Sequence, residues 1–160
     1  MSQWLPALDG VVEQLDAGIT VADVGCGYGH STILMAQAFP RSRFFGFDTH
    51  AASIAEATRN ATAAGVADCV EFRVANATSF VGAYGLICFF DCLHDKGDPV
   101  GAARHAARML TADGTVRLVE PFANDRVEDN ANVVGRLYYV ASTMLCCAHA
   151  ISVPPKRPSI

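Results

Sequence analysis

A short apolar segment of the chain runs into a turn with glycine at every second position. Residues 19–24 are apolar and rich in β-branched side chains, Gly25, Gly27 and Gly29 follow, and residues 31–39 then repeat apolar side chains at helical spacing. This order predicts a strand, a glycine turn and a helix. Glycines at such a turn let the backbone approach a ligand closely and direct the amide groups of the helix start toward it. The segment therefore predicts a ligand site in a fold that alternates strands and helices.

The same alternation continues along the chain. Strands are predicted at 19–24, 43–47, 70–74, 84–90 and 115–119, and helices at 4–15, 31–39, 51–64, 99–110 and 133–150. Gly18 and Gly65 are placed to end two of the helices, and Asp98 with Pro99 supplies the cap and first turn of another. Strands rich in valine, isoleucine and phenylalanine, buried on both faces and separated by helices, are typical of a parallel sheet. The predicted fold class is α/β, with a doubly wound parallel sheet.

Length and composition fit one globular domain. The chain has 160 residues, of which 51% are hydrophobic and 18% charged, and its formal net charge is -4. One domain over residues 1–150 is predicted from this length. Residues 151–160 contain three prolines, which predict an irregular tail. The lack of a broad basic bias predicts no nucleic-acid partner. The sequence shows no secretion signal and no apolar run that could span a bilayer, which predicts no membrane association and a cytoplasmic location.

The cysteines are predicted to be structural. The sequence contains 6 of them, none in a C-x-x-C pair, and most stand in apolar runs where a free thiol behaves as a small hydrophobic group. Cys88, Cys92 and His94 are close in sequence, but Cys88 falls on a predicted strand and Cys92 just past its end, so they point to different places. No metal site is predicted, because structural zinc needs four convergent ligands.

The glycine spacing narrows the kind of ligand. A dinucleotide-binding turn has the pattern G-x-G-x-x-G, whose third glycine would fall at His30 in this chain. The observed spacing therefore favours a ligand without a pyrophosphate. Asp48 closes the second predicted strand, where its carboxylate can accept hydrogen bonds from ribose hydroxyls. Because any adenosine-containing cofactor would suit Asp48, a nicotinamide-dependent oxidoreductase remains an alternative, although the glycine spacing argues against it.

Asp23 and the three glycines, together with Asp48, resemble the pattern of class I S-adenosylmethionine-dependent methyltransferases. The resemblance implies a Rossmann-like sheet and S-adenosyl-L-methionine as the cofactor. In that family the segment after the third strand holds the adenine, usually with an acidic side chain. Asn76 stands at that position here, and its amide oxygen can still accept a hydrogen bond from the adenine amine. The cofactor-binding residues implied are Asp23, Gly25, Cys26, Gly27, Gly29, Asp48, Thr49, Asn76, Ala77 and Asp91.

The segment after the fourth predicted strand, Asp91-Cys92-Leu93-His94-Asp95, is similar to the corresponding stretch of small-molecule O-methyltransferases. In those enzymes a histidine at this place removes the proton of the acceptor. The resemblance implies His94 as the general base and Asp91 beside the methionine or the substrate, in methyl transfer to oxygen or nitrogen of a small-molecule acceptor. Two alternatives stay open: His94 caps or packs near the next helix, and His50 either lies beside the adenosine or faces water.

Residues 4–150 look most like an actinobacterial, particularly mycobacterial, methyltransferase family in which a winged-helix-like region precedes the core. The resemblance implies that the helix from residue 133 covers the substrate pocket, with Tyr138, Tyr139 and Met144 facing it. Core packing of these three side chains is the alternative.

A complete class I core has seven strands, of which the last two form an antiparallel hairpin, whereas five strands are predicted here. We therefore expect a truncated core whose uncovered fifth strand supports a homodimer or pairing with another chain. The alternative function is a non-catalytic remnant that at most binds the cofactor or a partner chain.

Overall fold

Five parallel strands form one sheet in a computed structural model that describes residues 9–152. The strands are β1 (Thr20–Val24), β2 (Arg43–Asp48), β3 (Val70–Val74), β4 (Tyr84–Phe90) and β5 (Leu110–Val119), and their order across the sheet is β3-β2-β1-β4-β5. All four neighbouring pairs are parallel. The predicted doubly wound α/β sheet is confirmed.

Helices connect the strands and continue beyond the last one. They are α1 (Val11–Ala17), α2 (His30–Ala38), α3 (Ala51–Ala63) and α4 (Pro99–Met109), then a 3-10 turn at Val127–Asn130 and a final helical stretch of α5 (Val133–Ala141), a π-helical turn (Ser142–Cys146) and α6 (Cys147–Ser152). Among residues 9–152, no helix combines the length and apolar character needed to cross a membrane.

Three predicted boundaries differ from the structure. The first helix begins at Val11, after Gly10 in the left-handed region, and ends before Gly18; residues 4–8 of that predicted helix lie outside the described part of the chain. β5 begins at Leu110, immediately after α4, because an irregularity between Tyr84 and Leu86 lets it join β4 earlier than residue 115. At the other end, residues 151 and 152 belong to α6 rather than to an irregular tail, while residues 153–160 are outside the described part.

The core lies on both faces of the two central strands. Val21 and Leu86 pack on the side of α1 and α2, and Ala22 and Ile87 pack on the side of α4; all four are fully buried. The edge strands β3 and β5 are buried only in part, so burial on both faces holds for the interior strands β1, β2 and β4 and not for every strand. Only central strands have neighbours on both sides and helices on both faces.

The strand order determines where a ligand can bind. The chain winds from β1 outward through β2 to β3, and then returns to the other side of β1 for β4. Loops that follow β1 and β4 therefore leave the sheet in opposite directions and open a crevice at the carboxyl ends of these strands. The glycine turn after β1 lies at that crevice.

Candidate functional site

The three glycines of the turn all have backbone angles of the left-handed region, with φ of 81° at Gly25, 52° at Gly27 and 78° at Gly29. A Cβ at Gly25 would lie 2.7 Å from Cys92 Sγ, and one at Gly29 would lie 2.4 Å from the Phe72 ring. A Cβ at Gly27 would meet nothing within 4 Å. Packing therefore requires two of the glycines, whereas Gly27 leaves open space that a ligand can approach.

Asp23 lies beneath the turn and organises it. Its side chain is 1% exposed and accepts hydrogen bonds from Ser31 Oγ at 2.6 Å and Thr32 Oγ1 at 2.7 Å. Burial raises the pKa of Asp23, and these two hydroxyls oppose that rise. Cys26 is buried as well, and burial raises the pKa of its thiol. Both residues were predicted to bind the cofactor, and the structure places them where they support the turn and the start of α2.

Asp48 joins the end of β2 to the glycine turn. Its Oδ2 accepts a hydrogen bond from the Gly27 backbone N–H at 3.1 Å, and its Oδ1 accepts one from the His50 backbone N–H at 2.9 Å. The ring Nδ1 of His50 lies 2.9 Å from Ser53 Oγ in the first turn of α3. His50 is exposed at the start of α3 and does not line the cleft described below, which agrees with the alternative in which it faces water. Asp48 holds the carboxyl ends of β1 and β2 together.

A cleft of about 290 Å³ opens beside Asp48 at the crevice between β1 and β4. Five residues predicted to bind the cofactor line it: Gly25, Asp48, Thr49, Asn76 and Ala77. The cleft is also lined by polar side chains that were not predicted to bind the cofactor: Asp95, Lys96, Asp98, Arg104, Arg108 and His149. Because Arg104 and Arg108 are four positions apart on α4, they lie on one face of that helix.

The amide of Asn76 is oriented differently from the expectation. Its Oδ1 accepts hydrogen bonds from the backbone N–H and the hydroxyl of Thr78, both at 3.0 Å. This turn uses the oxygen that was predicted to meet an adenine amine. The Nδ2 group remains, and it is a donor that suits an adenine ring nitrogen instead.

One acceptor in the cleft lacks a hydrogen-bond donor. Asp95 Oδ1 is buried and has no hydrogen-bond partner among the described residues, although Lys96 Nζ lies 3.6 Å away. Buried acceptors usually have a donor, which a bound ligand can provide. Together with the open space over Gly27 and the carboxylate of Asp48, this acceptor fits a cofactor that carries ribose hydroxyls and an ammonium group.

His94 pairs with Glu120, which directly follows β5. Glu120 Oε2 contacts His94 Nδ1, and Oε1 accepts hydrogen bonds from the backbone N–H groups of Leu93 at 2.8 Å and Cys92 at 3.0 Å. Burial alone would raise the pKa of Glu120, but the hydrogen bonds from His94, Leu93 and Cys92 hold the pKa below its ordinary value. Glu120 is therefore a carboxylate that accepts the Nδ1–H of His94, which leaves Nε2 as the basic nitrogen of the neutral ring.

Asp91 is the second carboxylate beside His94. Its Oδ1 lies 3.9 Å from His94 Nδ1, its side chain is 75% exposed, and its backbone has a φ of 53°. Asp91, His94 and Glu120 each offer one possible metal-ligand atom, and these three atoms lie within 4.8 Å of one another. Carboxylate oxygens and an imidazole nitrogen are groups that can bind a metal cation. Cys92 is not part of this set, because its Sγ donates to the Val24 carbonyl at 3.0 Å.

Glu120 was not among the predicted site residues, although its position in the sequence carries a signal. An acidic residue directly after an apolar strand is the same signal that identified Asp48. Parallel pairing of Phe90 with Val119 then brings Asp91 and Glu120 to the same edge of the sheet.

A second cavity, of about 220 Å³, is lined by His94. Tyr138, Tyr139 and Phe122 line it, together with smaller side chains. Tyr138 and Tyr139 are 44% and 45% exposed, so they are not core residues. Met144 was predicted to face the same pocket, but it is 71% exposed and is not among the lining residues.

Comparison with known proteins matches this architecture to one family. The profile of the methyltransferase domain matches residues 15–152. The chain belongs to the methyltransferase-domain family. No sequence among the curated proteins matches this methyltransferase-domain chain.

Solved structures share the fold of this methyltransferase domain. The YcgJ protein from Bacillus subtilis is 26% identical, with a TM-score of 0.66 over 80% of this chain and 57% of its own. An O-methyltransferase family 2 protein from Planctomyces limnophilus, solved with apigenin, is 22% identical, with a TM-score of 0.70 over 80% of this chain and 39% of its own. An O-methyltransferase from a Brevibacillus brevis multienzyme, solved with S-adenosyl-L-homocysteine, is 19% identical, with a TM-score of 0.60 over 67% of this chain and 39% of its own. The chain thus spans 57% of the length of the YcgJ protein and 39% of the length of each of the other two.

Proposed function

We propose that this chain binds S-adenosyl-L-methionine and serves methyl transfer to oxygen or nitrogen of a small-molecule acceptor, with His94 as the general base. The observation that carries the proposal is the position of His94. It lines the second cavity, while the next residues, Asp95 to Asp98, line the cleft. A base at the boundary between a cofactor cleft and an acceptor cavity is where proton removal is needed.

The cofactor assignment rests on the family and on the residues of the cleft. S-adenosyl-L-methionine supplies a methyl group on a positively charged sulfur. Asp48 would accept from the ribose hydroxyls, Asn76 Nδ2 and Ala77 would meet the adenine, and Asp95 Oδ1 would accept from the methionine ammonium. The Brevibacillus brevis enzyme with bound S-adenosyl-L-homocysteine supports this cofactor for the same fold.

Glu120 positions the base. Because its carboxylate accepts from His94 Nδ1, the proton of the acceptor moves to Nε2. As that proton arrives, the carboxylate stabilises the imidazolium that forms.

The likeness to actinobacterial winged-helix methyltransferases and the cytoplasmic location remain predictions from the sequence.

Two measurements test the proposal. We expect calorimetry on the full chain to detect binding of S-adenosyl-L-methionine and S-adenosyl-L-homocysteine but not of NAD, because the glycine turn lacks the dinucleotide spacing. Binding of NAD without binding of S-adenosyl-L-homocysteine would contradict the assignment.

We expect His94→Gln to lower methyl transfer by about 100-fold or more, since general-base catalysis contributes on that order. Binding of S-adenosyl-L-homocysteine should change little, because His94 lines the acceptor cavity and not the cleft. Turnover is measured with radiolabelled cofactor and an acceptor panel. Equal turnover by the variant would exclude His94 as the base.

A further inference from the structure

The side-chain amide of Asn76 is held in one orientation at the cleft. Its Oδ1 accepts hydrogen bonds from the backbone N–H and the hydroxyl of Thr78, both at 3.0 Å. An amide oxygen has two lone pairs, so these two donors use both of them. The opposite orientation would direct the amide NH2 group at the Thr78 N–H, which has no lone pair to accept it. Asn76 therefore offers a ligand the donors of its Nδ2 group and no acceptor.

The main chain around Asn76 is fixed as well. Its carbonyl oxygen accepts from the backbone N–H groups of Ser79 at 2.9 Å and Phe80 at 3.1 Å, and Phe80 is buried. Within residues 9–152, no acceptor takes a hydrogen bond from Asn76 Nδ2. This donor group is therefore available to a ligand in the cleft that Asn76 lines.

Asn76 follows the end of β3, beside the residue that the proposed function assigns to the ribose. That residue is Asp48, whose carbonyl accepts from the Ala75 N–H at 2.9 Å. Neighbouring strands lie about 4.8 Å apart, so a purine attached to a ribose at Asp48 can reach the residues that follow β3. Of residues 75–78, which all line the cleft, only Asn76 and Thr78 have polar side chains. The hydroxyl of Thr78 is turned to Asn76, which leaves Nδ2 as the free donor for the base.

A donor at this place treats several purines alike. Adenine has an acceptor at N1 and a donor amine at position 6, whereas a 6-oxopurine has an acceptor oxygen at position 6. A purine with hydrogen at position 6 keeps the N1 acceptor. Asn76 Nδ2 can donate to one acceptor of each base, but it cannot pair with the 6-amino group, because that group also donates. One hydrogen bond forms in every case, so the amine adds nothing to binding.

We propose that the cleft does not select for the 6-amino group of its ligand, and that it binds purine nucleosides with oxygen or hydrogen at that position as well as adenosine. Asn76 is the residue that sets this tolerance. The inference rests on the proposed cofactor, S-adenosyl-L-methionine, and specifies how its base is recognised.

Three matched probes test the inference without relying on turnover. They are S-adenosyl-L-homocysteine, S-inosyl-L-homocysteine with oxygen at position 6, and the analogue with hydrogen at position 6. All three have the same net charge, so the charged side chains of the cleft affect them equally. Calorimetry on the full chain should give dissociation constants within about threefold of one another. A preference of about tenfold or more for S-adenosyl-L-homocysteine over either analogue would overturn the inference.

Asn76→Asp should create the missing preference. The carboxylate keeps an acceptor for both Thr78 donors and presents its second oxygen to the base. S-adenosyl-L-homocysteine should then bind about tenfold more tightly than the analogue with hydrogen, because the carboxylate accepts from the amine. Asn132→Asp is the matched control, since Asn132 Oδ1 also accepts from a backbone N–H, that of Gly135 at 2.9 Å, and Asn132 does not line the cleft. An Asn76→Asp chain that binds these two probes equally would place the base elsewhere and overturn the inference.

Asn76→Ala gives a second test, which holds even if Asn76→Asp does not fold. It removes the donor, so all three probes should bind about fivefold more weakly, by the same factor. Weaker binding of S-adenosyl-L-homocysteine alone would mean that Asn76 pairs with the amine. Unchanged binding of all three would mean that Asn76 does not meet the base. Either result would overturn the inference.

The two proposals fail in different ways. Binding of S-adenosyl-L-homocysteine with a strong preference for the 6-amino group leaves the proposed cofactor standing and removes the tolerance assigned to Asn76. Absence of S-adenosyl-L-homocysteine binding to the wild-type chain contradicts the proposed function directly, whatever the other two probes do.

Discussion

Single side chains at this site are held by partners that lie far away in the sequence. Glu120 contacts His94 from 26 positions away, and Asp48 accepts from Gly27 at a separation of 21 positions. Glu120 also accepts from two backbone N–H groups, so its carboxylate has little freedom to turn. The orientation of His94 therefore depends on the charge state of Glu120.

The charge of Glu120 predicts a pH-dependent stability. Its pKa in the folded chain lies below the ordinary value of 4.5, so its contribution is complete above about pH 4.5 and is lost as pH falls through the folded pKa. Glu120→Gln keeps an oxygen for the Leu93 and Cys92 N–H groups but removes the charge. Urea unfolding should show a larger free energy of unfolding for the wild type than for the variant near pH 7. This difference should shrink as the pH falls below about 4.5.

A background that lacks the histidine provides the control. In His94→Ala the side-chain donor to Glu120 is gone, so the same Glu120→Gln substitution should cost less at neutral pH. If the difference in unfolding free energy between the wild type and Glu120→Gln grows as the pH falls, Glu120 is not stabilised as a carboxylate.

At the scale of elements, the strand–turn–helix unit of β1 and α2 combines packing with ligand access. Asp23 at the end of β1 holds the first residues of α2 through their hydroxyls. Phe72 on β3 packs against Gly29 so closely that no side chain fits there. Gly27 is the exception within the unit, because it has a left-handed φ and open space above it.

Gly27→Ala should therefore lower both the stability of the chain and its affinity for the cofactor, and the two effects can be measured separately. An alanine in the left-handed region should cost about 1–2 kcal/mol of unfolding free energy, and its methyl group would stand where the cofactor approaches. We expect the affinity for S-adenosyl-L-homocysteine, measured by calorimetry, to fall by about tenfold or more.

Gly65→Ala is the matched control, since Gly65 has a φ of 71° and also has open space around it, but it lies at the end of α3. It should cost similar stability and leave affinity unchanged. Equal affinities of the two variants would show that the cofactor does not approach Gly27.

For the molecule as a whole, the sheet has an open edge at β5. Among residues 9–152, no strand pairs with the outer side of β5, and Val116 and Leu118 are 40% and 48% exposed. Helices α5 and α6 have no buried residues. An edge with unpaired backbone groups and apolar side chains favours pairing with another chain.

We therefore propose that the chain self-associates through β5. Leu118→Lys should shift the protein toward monomer in sedimentation velocity, because a charged side chain opposes pairing at an edge. Its cost in unfolding free energy should stay within about 0.5 kcal/mol, as is usual at exposed positions. Leu34→Lys is the control, since Leu34 is exposed on α2, away from β5. A wild-type chain that is monomeric at all concentrations would rule out this interface.

Much of the fold could be predicted because its signals are local. Alternating apolar segments, glycines at turns and the Asp98–Pro99 helix start all act within a few residues, and the structure confirms the elements they indicate. Asp48 was predictable for the same reason, as an acid that ends an apolar strand. Glu120 carries an equivalent signal, because it directly follows β5, but it was not predicted.

Contacts between distant segments could not be predicted in this way. The sequence shows that Asn76 has an acceptor, but not that Thr78 already occupies it with two hydrogen bonds. Helical spacing places Arg104 and Arg108 on one face of α4, but only the packing of α4 turns that face toward the cleft.

The sequence by itself determined the strands, the helices and the glycine turn, because backbone geometry and apolar periodicity are properties of neighbouring residues. The tertiary structure decided that the ends of β4 and β5 lie side by side, so that His94, which lines the second cavity, contacts Glu120. Parallel strands are joined by long crossovers, so the sequence near one strand does not show which strand will lie beside it. The pairing of His94 with Glu120 could therefore be seen only in the folded sheet.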